Sequence, residues 1–547
     1  MWTKTSIQGN SIVYDNASLT RNIEDILMER FADPSVLEKS LADLYDPYLL
    51  HDMDKAVIRI KQAKENNERV IIFGDYDVDG VTSTSILMHL FKTLEMQVSY
   101  RLPHRIHDGY GLKQKFIDEL APLWVTLIVT VDCGSRDAEI VSYAKTLWVD
   151  IIVTDHHHVP AEMPDEAIAF LNPNRSDCSY PDKQLSGAGV AYKLMMAVAR
   201  EYFDDTTYQN YLRESIDIAA IGTVADCMQL TGENRIIVTE GLKQLKHSRS
   251  KGIRQLIEDK IHEDLDADVF GFLIGPRLNA AGRMDTPYKA VNLILNNGKS
   301  LPQTLREIEE LNTLRKAKTA EFVEYALEDI DTRNNIIFYH SPDIEHGIIG
   351  IVAGRLTEKY YKPSIVLIDE GEKLVASCRS PDYFSIVDIL EKYKQYFIAF
   401  GGHRQAAGFS ILKEKYSEFR ENITAELNAQ DFSWYKKELH IDKCLRLDEI
   451  GFNFLEKINH FKPFGMGNPK PLFLIEDFIS EWVKFLGKGR DHLKFESRYG
   501  FKILAFGLGE HYDILKKRES FDIICELAED SWQNQRSIMI RVVDIVI

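Results

Sequence analysis

Three aspartates alternate in Gly74-Asp75-Tyr76-Asp77-Val78-Asp79-Gly80, a run of hard oxygen donors. Three further clusters share its character: Asp132 after an apolar run, His156 and His157 after Asp155, and Asp226 closing IAAIGTVAD. Carboxylates beside imidazole suit Mn²⁺ or Mg²⁺ better than a thiolate-loving metal. Asp75, Asp77, Asp79, Asp132, His156 and Asp226 are therefore the candidate ligands of two adjacent divalent ions. Two such ions can share a hydroxide nucleophile and hold the non-bridging oxygens of a phosphate during in-line displacement. The bland alternatives are a surface turn or calcium loop for the aspartates and a solvated loop for the histidines. An EF-hand needs a Glu late in its loop, and Val81 to Leu87 has none.

The elements around these clusters follow one grammar. Apolar residues at helical spacing run from Ala56 to Ala63, Val70–Phe73 reads as a strand ending in the aspartate run, and Thr82–Lys92 reads as the helix after it. Strands at Leu127–Val131 and Ile151–Thr154 end in Asp132 and in Asp155-His156-His157. Alternating strands and helices imply a parallel sheet, whose strand ends converge on one crevice. Asp75 and Asp77 as well as Asp132, His156, His157 and Asp226 can meet there, and these six are the candidate catalytic residues.

Residues 300–331 are charged, helical in pattern and free of Pro and Gly after Pro302, which predicts a long connecting helix. Short β-rich runs at Asn335–Tyr339 and Ser364–Ile368 flank a helix near Ile349–Tyr361, a second and smaller α/β unit. From about Trp434 the pattern becomes strand after strand: Pro471–Ile475, Glu481–Leu486, Leu493–Glu496, Phe501–Phe506 and Ser537–Val546. That predicts a small β-barrel.

The chain of 547 residues has room for three or four domains, and its 45% hydrophobic and 27% charged residues exclude a fibrous or disordered protein. A net charge of −18 argues against nucleic acid unless positive charge or metal is focused at one site. Six scattered cysteines without a CxxC pair exclude a disulfide framework and a thiolate zinc site, and point to the cytoplasm. Met1 to Asn16 lacks a secretory pattern, and Leu123–Val131 is too short for a membrane span.

Together GDYDVDGVTST (Gly74–Thr84), VDCG (Val131–Gly134), TDHH (Thr154–His157) and GTVADCMQL (Gly222–Leu230) resemble the DHH phosphoesterase superfamily, and within it the exonucleases specific for single-stranded DNA. The likeness continues in PHRIHDGYGL (Pro103–Leu112), GPRLNAAGRM (Gly275–Met284), HGIIGIVAGRL (His346–Leu356), SCRS (Ser377–Ser380), GGHRQAAG (Gly401–Gly408) and PFGMGNPKPLF (Pro463–Phe473). It implies an α/β fold: a parallel-sheet DHH domain with an N-terminal extension (1–299), a connecting helix (300–332), a smaller α/β DHHA1 domain (333–430) and a C-terminal OB-fold β-barrel (431–547). It also implies 5′→3′ hydrolysis of single-stranded DNA to 5′ mononucleotides in DNA repair and recombination. Asp132 would bridge two metal ions, His156 and Asp226 would hold one each, and His157 would touch the scissile phosphate. Distant members carry a His where this chain has Phe73, so Asp75 is expected to take its place; Cys133, where relatives often have Asn, is read as an inert small neighbour.

For the strand itself, Arg277, Asn279 and Arg283 offer phosphate contacts, and Arg105 and Tyr110 offer a phosphate contact and an aromatic face. An acid partner for the arginines and core packing for Tyr110 are the alternatives. Ser377, Arg379, Gly401, Gly402 and His403 suit a terminal phosphate, which the resemblance makes the 5′ end, although the two glycines also fit a tight turn. Lys484, Lys488, Arg490, Lys494 and Lys502 interleave with Trp482, Phe485, Phe495 and Phe501, as in single-strand grooves of OB-folds, some rings being needed for the core. The expected partner is single-stranded DNA, with a single-strand-binding protein and a helicase as candidate protein partners, no membrane, and a monomeric state. The runner-up is a DHH phosphodiesterase for short oligonucleotides or cyclic dinucleotides, against which the tail from Trp434 counts. A scaffold that has lost catalysis would have broken metal motifs, and here all four keep their acids.

Overall fold

The computed structural model describes residues 2–14, 21–260, 262, 264–432, 434–487, 489–532 and 535–547. The first domain is built on five parallel strands in the spatial order Gln97–Arg101, Arg69–Gly74, Val125–Val131, Asp150–Thr154 and Ala169–Leu171. Val70, Ile72, Leu127 and Val129 face one helical layer, while Ile71, Phe73, Ile128 and Val153 face another. A sheet covered on both faces needs near-continuous apolar strands, which is what these sequences supply. Chain order reverses between Arg69–Gly74 and Val125–Val131, so the crevice at their carboxyl ends is the topological switch point where α/β sheets bind ligands.

The first helix after the sheet begins at Val78 and runs to Thr93, four residues earlier than the sequence pattern suggests, because Asp77 caps it by accepting from the Gly80 N–H at 3.1 Å. The connecting helix spans Leu301–Asp329. Beyond it, a five-stranded mixed sheet pairs Ile337–His340 parallel to Ser364–Glu370, then continues antiparallel through Lys373–Arg379, Ala406–Leu412 and Phe397–Gly402.

The C-terminal domain is a seven-stranded sheet over a core that includes Phe473, Phe495, Phe521 and Ile540. One of its longest strands, Phe521–Trp532, escapes the sequence reading because Glu526, Glu529 and Asp530 interrupt its apolar pattern. The N-terminal hairpin, Trp2–Thr5 with Ser11–Tyr14, pairs in parallel with Glu438–His440, and Ile23, Leu27, Phe31 and Val36 enter the C-terminal core. The packing of this segment is thus with the last domain in space, whereas the sequence division groups it with residues 1–299.

The segment PFGMGNPKP docks this domain onto the first. Leu230 N donates to Met466 O at 2.7 Å, Phe464 N donates to Asp266 Oδ1 at 3.0 Å, and Lys462 pairs with Asp264 at 2.7 Å. Inside the first domain Lys193 and Glu233, both wholly buried, form an ion pair, with Tyr45 N donating to Glu233 at 2.7 Å and Lys193 donating to Tyr45 O at 2.8 Å. Lys193→Met leaves the buried carboxylate without its cation and is expected to cost about 3–5 kcal/mol, read as a lower urea midpoint by circular dichroism. Adding Glu233→Leu should recover part of that loss.

Candidate metal centre and nucleic-acid cleft

Each acidic side chain is held by a different device. Asp75 follows the strand Arg69–Gly74 and is 3% exposed. Asp79 lies in the first turn of the helix rather than on an extended turn, and its two oxygens accept from Gly187 N at 2.6 Å and Ala188 N at 2.9 Å, the start of the helix Gly187–Tyr202. Asp132 adopts φ +60°, a left-handed conformation that costs an L-residue energy and turns its carboxylate into the crevice. Asp226 caps the carboxyl end of the helix Asp205–Ala225 instead of a strand.

These elements bring the predicted ligands together. His156 Nε2 lies 3.2 Å from Asp132, 3.5 Å from Asp226 and 3.7 Å from Asp79. Asp79, His156 and Asp226 form one group with ligand atoms within 4.8 Å of one another, and Asp75, Asp77 and Asp132 form a second. Asp132 with Asp155, His156 and His157 makes a third such group. Asp75 therefore lies within reach of Asp77 and Asp132 in a group that could hold an ion, while Phe73 packs against Phe116 on the far face of the sheet.

The electrostatics show what the cluster lacks. Burial, reinforced by neighbouring carboxylates, pushes Asp75, Asp132 and Asp226 well above the usual carboxylate range and Asp79 up to about 7. Burial and the adjacent His157 bring His156 down to about 4. Asp75 Oδ1, Asp132 Oδ1 and His156 Nε2 are buried with no hydrogen-bond partner. Orphaned donor atoms of this kind are costly, and divalent cations would satisfy all three. The residues present fit Mn²⁺ or Mg²⁺, and the cluster is able to bind metal ions.

Asp155, named in the sequence motif but not counted there among the functional residues, proves to be the organiser of the histidine loop. Its carboxylate accepts from Ser135 N at 3.0 Å, His156 N at 2.8 Å, His157 N at 3.2 Å and His157 Nδ1 at 2.8 Å. Against the opposing effect of burial, these bonds hold Asp155 below the usual range and raise His157 to about 9. Asn172 donates to His157 O at 2.9 Å and Asn174 to His156 O at 2.6 Å. The signal for both was present, since Asn172-Pro173-Asn174 follows yet another strand end, Ala169–Leu171.

Tyr110 does not offer a ring face to a base. Its ring packs edge-on against His157 and its hydroxyl donates to Asp132 O at 3.1 Å, beside His157 Nδ1. Cys133 is fully buried, 3.8 Å from Phe73 O, and burial pushes its thiol up, as suits an inert neighbour.

The arginines divide. Arg277 is committed to Glu309 of the connecting helix at 2.6 Å, so the acid-partner alternative applies to it. Asn279 Oδ1 is buried without a partner. Arg105 lies over the Tyr76 ring at 4.0 Å, a stacking that sequence reasoning missed. Arg283 donates to Gly347 O at 3.0 Å, and burial with the nearby charges of Arg105 and Arg379 lowers it to about 9. Arg379 Nη1 reaches Ser377 Oγ at 3.2 Å. Gly401 and Gly402 end a strand whose tight turn is closed by His403 N donating to Ala406 O at 2.8 Å. Burial, and then the charge of His157, lower the His403 pKa.

In the barrel, Lys484 and Lys494 lie over the Trp482 ring at 4.1 and 5.6 Å, whereas Lys502 pairs with Asp530 at 2.8 Å. Phe495 is core, Phe485 stacks on Tyr512 and is covered by Arg490 at 5.4 Å, and Phe501 packs against the core. Lys488 lies outside the described residues.

Comparison with known families matches the DHH family, N-terminal domain, over residues 69–223, the DHHA1 domain over 333–429 and the RecJ OB domain over 441–544. The single-stranded-DNA-specific exonuclease RecJ of Bacillus subtilis is 32% identical over 521 residues, covering 92% of this chain and 65% of that protein. The chain thus spans just under two thirds of that relative's length. The protein of the same name from Dickeya dadantii is 34% identical, covering 80% of each. The crystal structure of RecJ in complex with Mn²⁺ from Thermus thermophilus superposes with a TM-score of 0.82 at 27% identity, covering 96% of this chain and 75% of that one.

Adding Mn²⁺ should raise the thermal unfolding midpoint and EDTA should reverse the rise. Saturation a hundredfold above the dissociation constant corresponds to about 2.7 kcal/mol. Asp132→Asn, which removes one like charge, should be at least as stable as wild type without metal yet lose most of the Mn²⁺ response.

Proposed function

The chain belongs to the RecJ family, and from that premise we propose that it degrades single-stranded DNA from the 5′ end, releasing 5′ mononucleotides. The observation that carries the reading is the pairing of two opposed deficits: buried carboxylates short of cations, and half-buried arginines that make no ion pair among the described residues, with Arg105 Nε and Arg315 Nε buried without a partner. A phosphodiester strand with divalent ions supplies both.

Asp75, Asp77, Asp79, Asp132, His156 and Asp226 would hold two ions, with Asp132, grouped with Asp75 and Asp77 and 3.2 Å from His156 of the other group, as the ligand between them. Bound there, Mn²⁺ or Mg²⁺ supplies Lewis-acid neutralisation of phosphate charge and acidifies water for attack. His157, whose Nδ1 is taken by Asp155, keeps its other ring nitrogen for the scissile phosphate. Ser377 and Arg379, with the turn at Gly401, Gly402 and His403, would receive the terminal 5′ phosphate. Arg105 and Arg283 would steady the phosphates between that pocket and the ions. Trp482, Lys484 and Lys494 extend the path over the barrel.

Repair and recombination are the processes that consume such an activity. A single-strand-binding protein and a helicase would supply the substrate, and a monomer in the cytoplasm suffices for it. Among the described residues no helix is long and apolar enough to cross a membrane.

A strand of about twenty nucleotides, longer than a typical OB-fold site, labelled in turn at each end tests the reading in Mn²⁺. Immediate release of the 5′ label as a mononucleotide with gradual shortening of the 3′-labelled strand, duplex and RNA being spared, is the expected result. Cleavage of dinucleotides alone would favour the short-substrate phosphodiesterase. Arg379→Ala should erase most of the preference for a 5′-phosphorylated over a 5′-hydroxyl strand, a loss of about tenfold or more for a charge-assisted contact.

A further inference from the structure

The connecting helix carries a stripe at helical spacing: Ile308, Asn312, Arg315, Thr319, Phe322 and Ala326. Its ends are apolar and anchored. Ile308 joins the core of the first domain, and Phe322 and Ala326 join a core formed with the second. Between these anchors the same face turns polar for three successive positions, where the helix bridges the two domains.

Those three positions are not exposed solvating groups. Asn312 is 2% exposed, and Arg315 Nε and Thr319 Oγ1 are buried without a hydrogen-bond partner. Arg315 makes one bond, from Nη2 to Asn312 Oδ1 at 3.0 Å. Its charge reaches Arg283, whose pKa is lowered by burial and by Arg105, Arg379 and Arg315 in turn. Among the described residues none of Arg105, Arg283, Arg315 and Arg379 makes an ion pair, whereas Arg355, whose charge also lowers Arg315, is paired with Glu358. A half-buried guanidinium whose Nε is buried without a partner is costly, and an anion beside Arg315 and Thr319 would remove that cost.

We propose that Asn312, Arg315 and Thr319 form a phosphodiester subsite on the connecting helix, at which Arg315 holds an internal phosphate of the strand lying between the two domains. This rests on the nucleic-acid reading above and adds the helix, assigned until now only to joining domains, to the binding surface. The planar guanidinium, oriented by Asn312, and the Thr319 hydroxyl one turn further present donors to one side of a backbone phosphate. Contacts to phosphate without contacts to bases suit an enzyme that reads no sequence.

The test is binding of a labelled single strand in EDTA, so that the strand is held and not cut, followed by anisotropy across a salt series. Arg315→Gln should weaken binding about tenfold and flatten the slope of log affinity against log salt by about 0.7, one phosphate contact on single-stranded nucleic acid. Arg315→Lys should keep the slope while binding less tightly than wild type. Thr319→Val, nearly isosteric, should weaken binding without changing the slope. Lys316→Gln, on the exposed face of the same helix, should change neither beyond the few tenths expected of a distant charge. Unchanged affinity and slope in folded Arg315→Gln and Thr319→Val would overturn the inference and leave the proposed function standing. Wild-type protein that binds no single strand would overturn both.

Discussion

Like charges held close together in a buried crevice are the constraint from which the rest of the structure follows. Asp75, Asp79, Asp132 and Asp226 all lie near His156 Nε2 or near one another, and each raises the cost of ionising its neighbours. The scaffold meets that cost with backbone dipoles. Asp77 caps one helix, Asp79 receives two N–H groups from the start of another, and Asp155 receives three from the loops around it. Helix N-termini favour negative charge, so Asp77 and Asp79 are aimed where the fold is most positive, whereas Asp226, at a helix carboxyl end, has no such support. What the backbone leaves unsatisfied, at Asp75, Asp132 and His156, is what a divalent ion can supply.

Arginines of both domains and of the connecting helix answer with the opposite sign. A chain with net charge −18 is a poor polyanion binder on average, yet Arg105, Arg315 and Arg379 all act on Arg283, and among the described residues none of the four makes an ion pair. Segregation of charge rather than its sum decides what enters the cleft. Arg277 shows the difference by exclusion: in the same motif as Asn279 and Arg283, it already has Glu309, and it contributes to holding the connecting helix instead.

Much of this was legible in the sequence because a parallel sheet converts strand ends into a site. Asp75, Asp132 and His156 follow apolar runs, and no knowledge of side-chain geometry is needed to see that they converge. Pairings that depend on distant partners were not legible. Nothing local distinguishes Arg277, held by an acid on another helix, from Arg283, held by a backbone carbonyl, and nothing marks the Tyr110 ring as packed on His157. The N-terminal hairpin finds its third strand more than four hundred residues away, at Glu438–His440, so linear division assigns it to the wrong neighbour in space. The start of the helix at Val78 was hidden for a local reason: an acid in a first turn and an acid just before a helix look alike until the capping residue is known.

The cleft between the two signs of charge has a width, and glycine sets it. A Cβ at Gly347 would lie 2.0 Å from the carbonyl oxygen of Arg283, so at this point the second domain approaches the first as closely as two backbones can. A Cβ at Gly187 would lie 2.7 Å from that of Asp132, so the helix whose N-terminus steadies Asp79 also approaches Asp132 as closely as packing permits. A larger residue at Gly347 would push the second domain away from the first, whereas one at Gly187 would part Asp132 from the helix that steadies Asp79. Because Coulomb energy falls with distance and rises as water is excluded, opening weakens the hold on a phosphate from both sides at once. Gly347 and the helix between the domains therefore act on one quantity, the separation of the two domains, while Gly187 fixes the spacing within the acidic site.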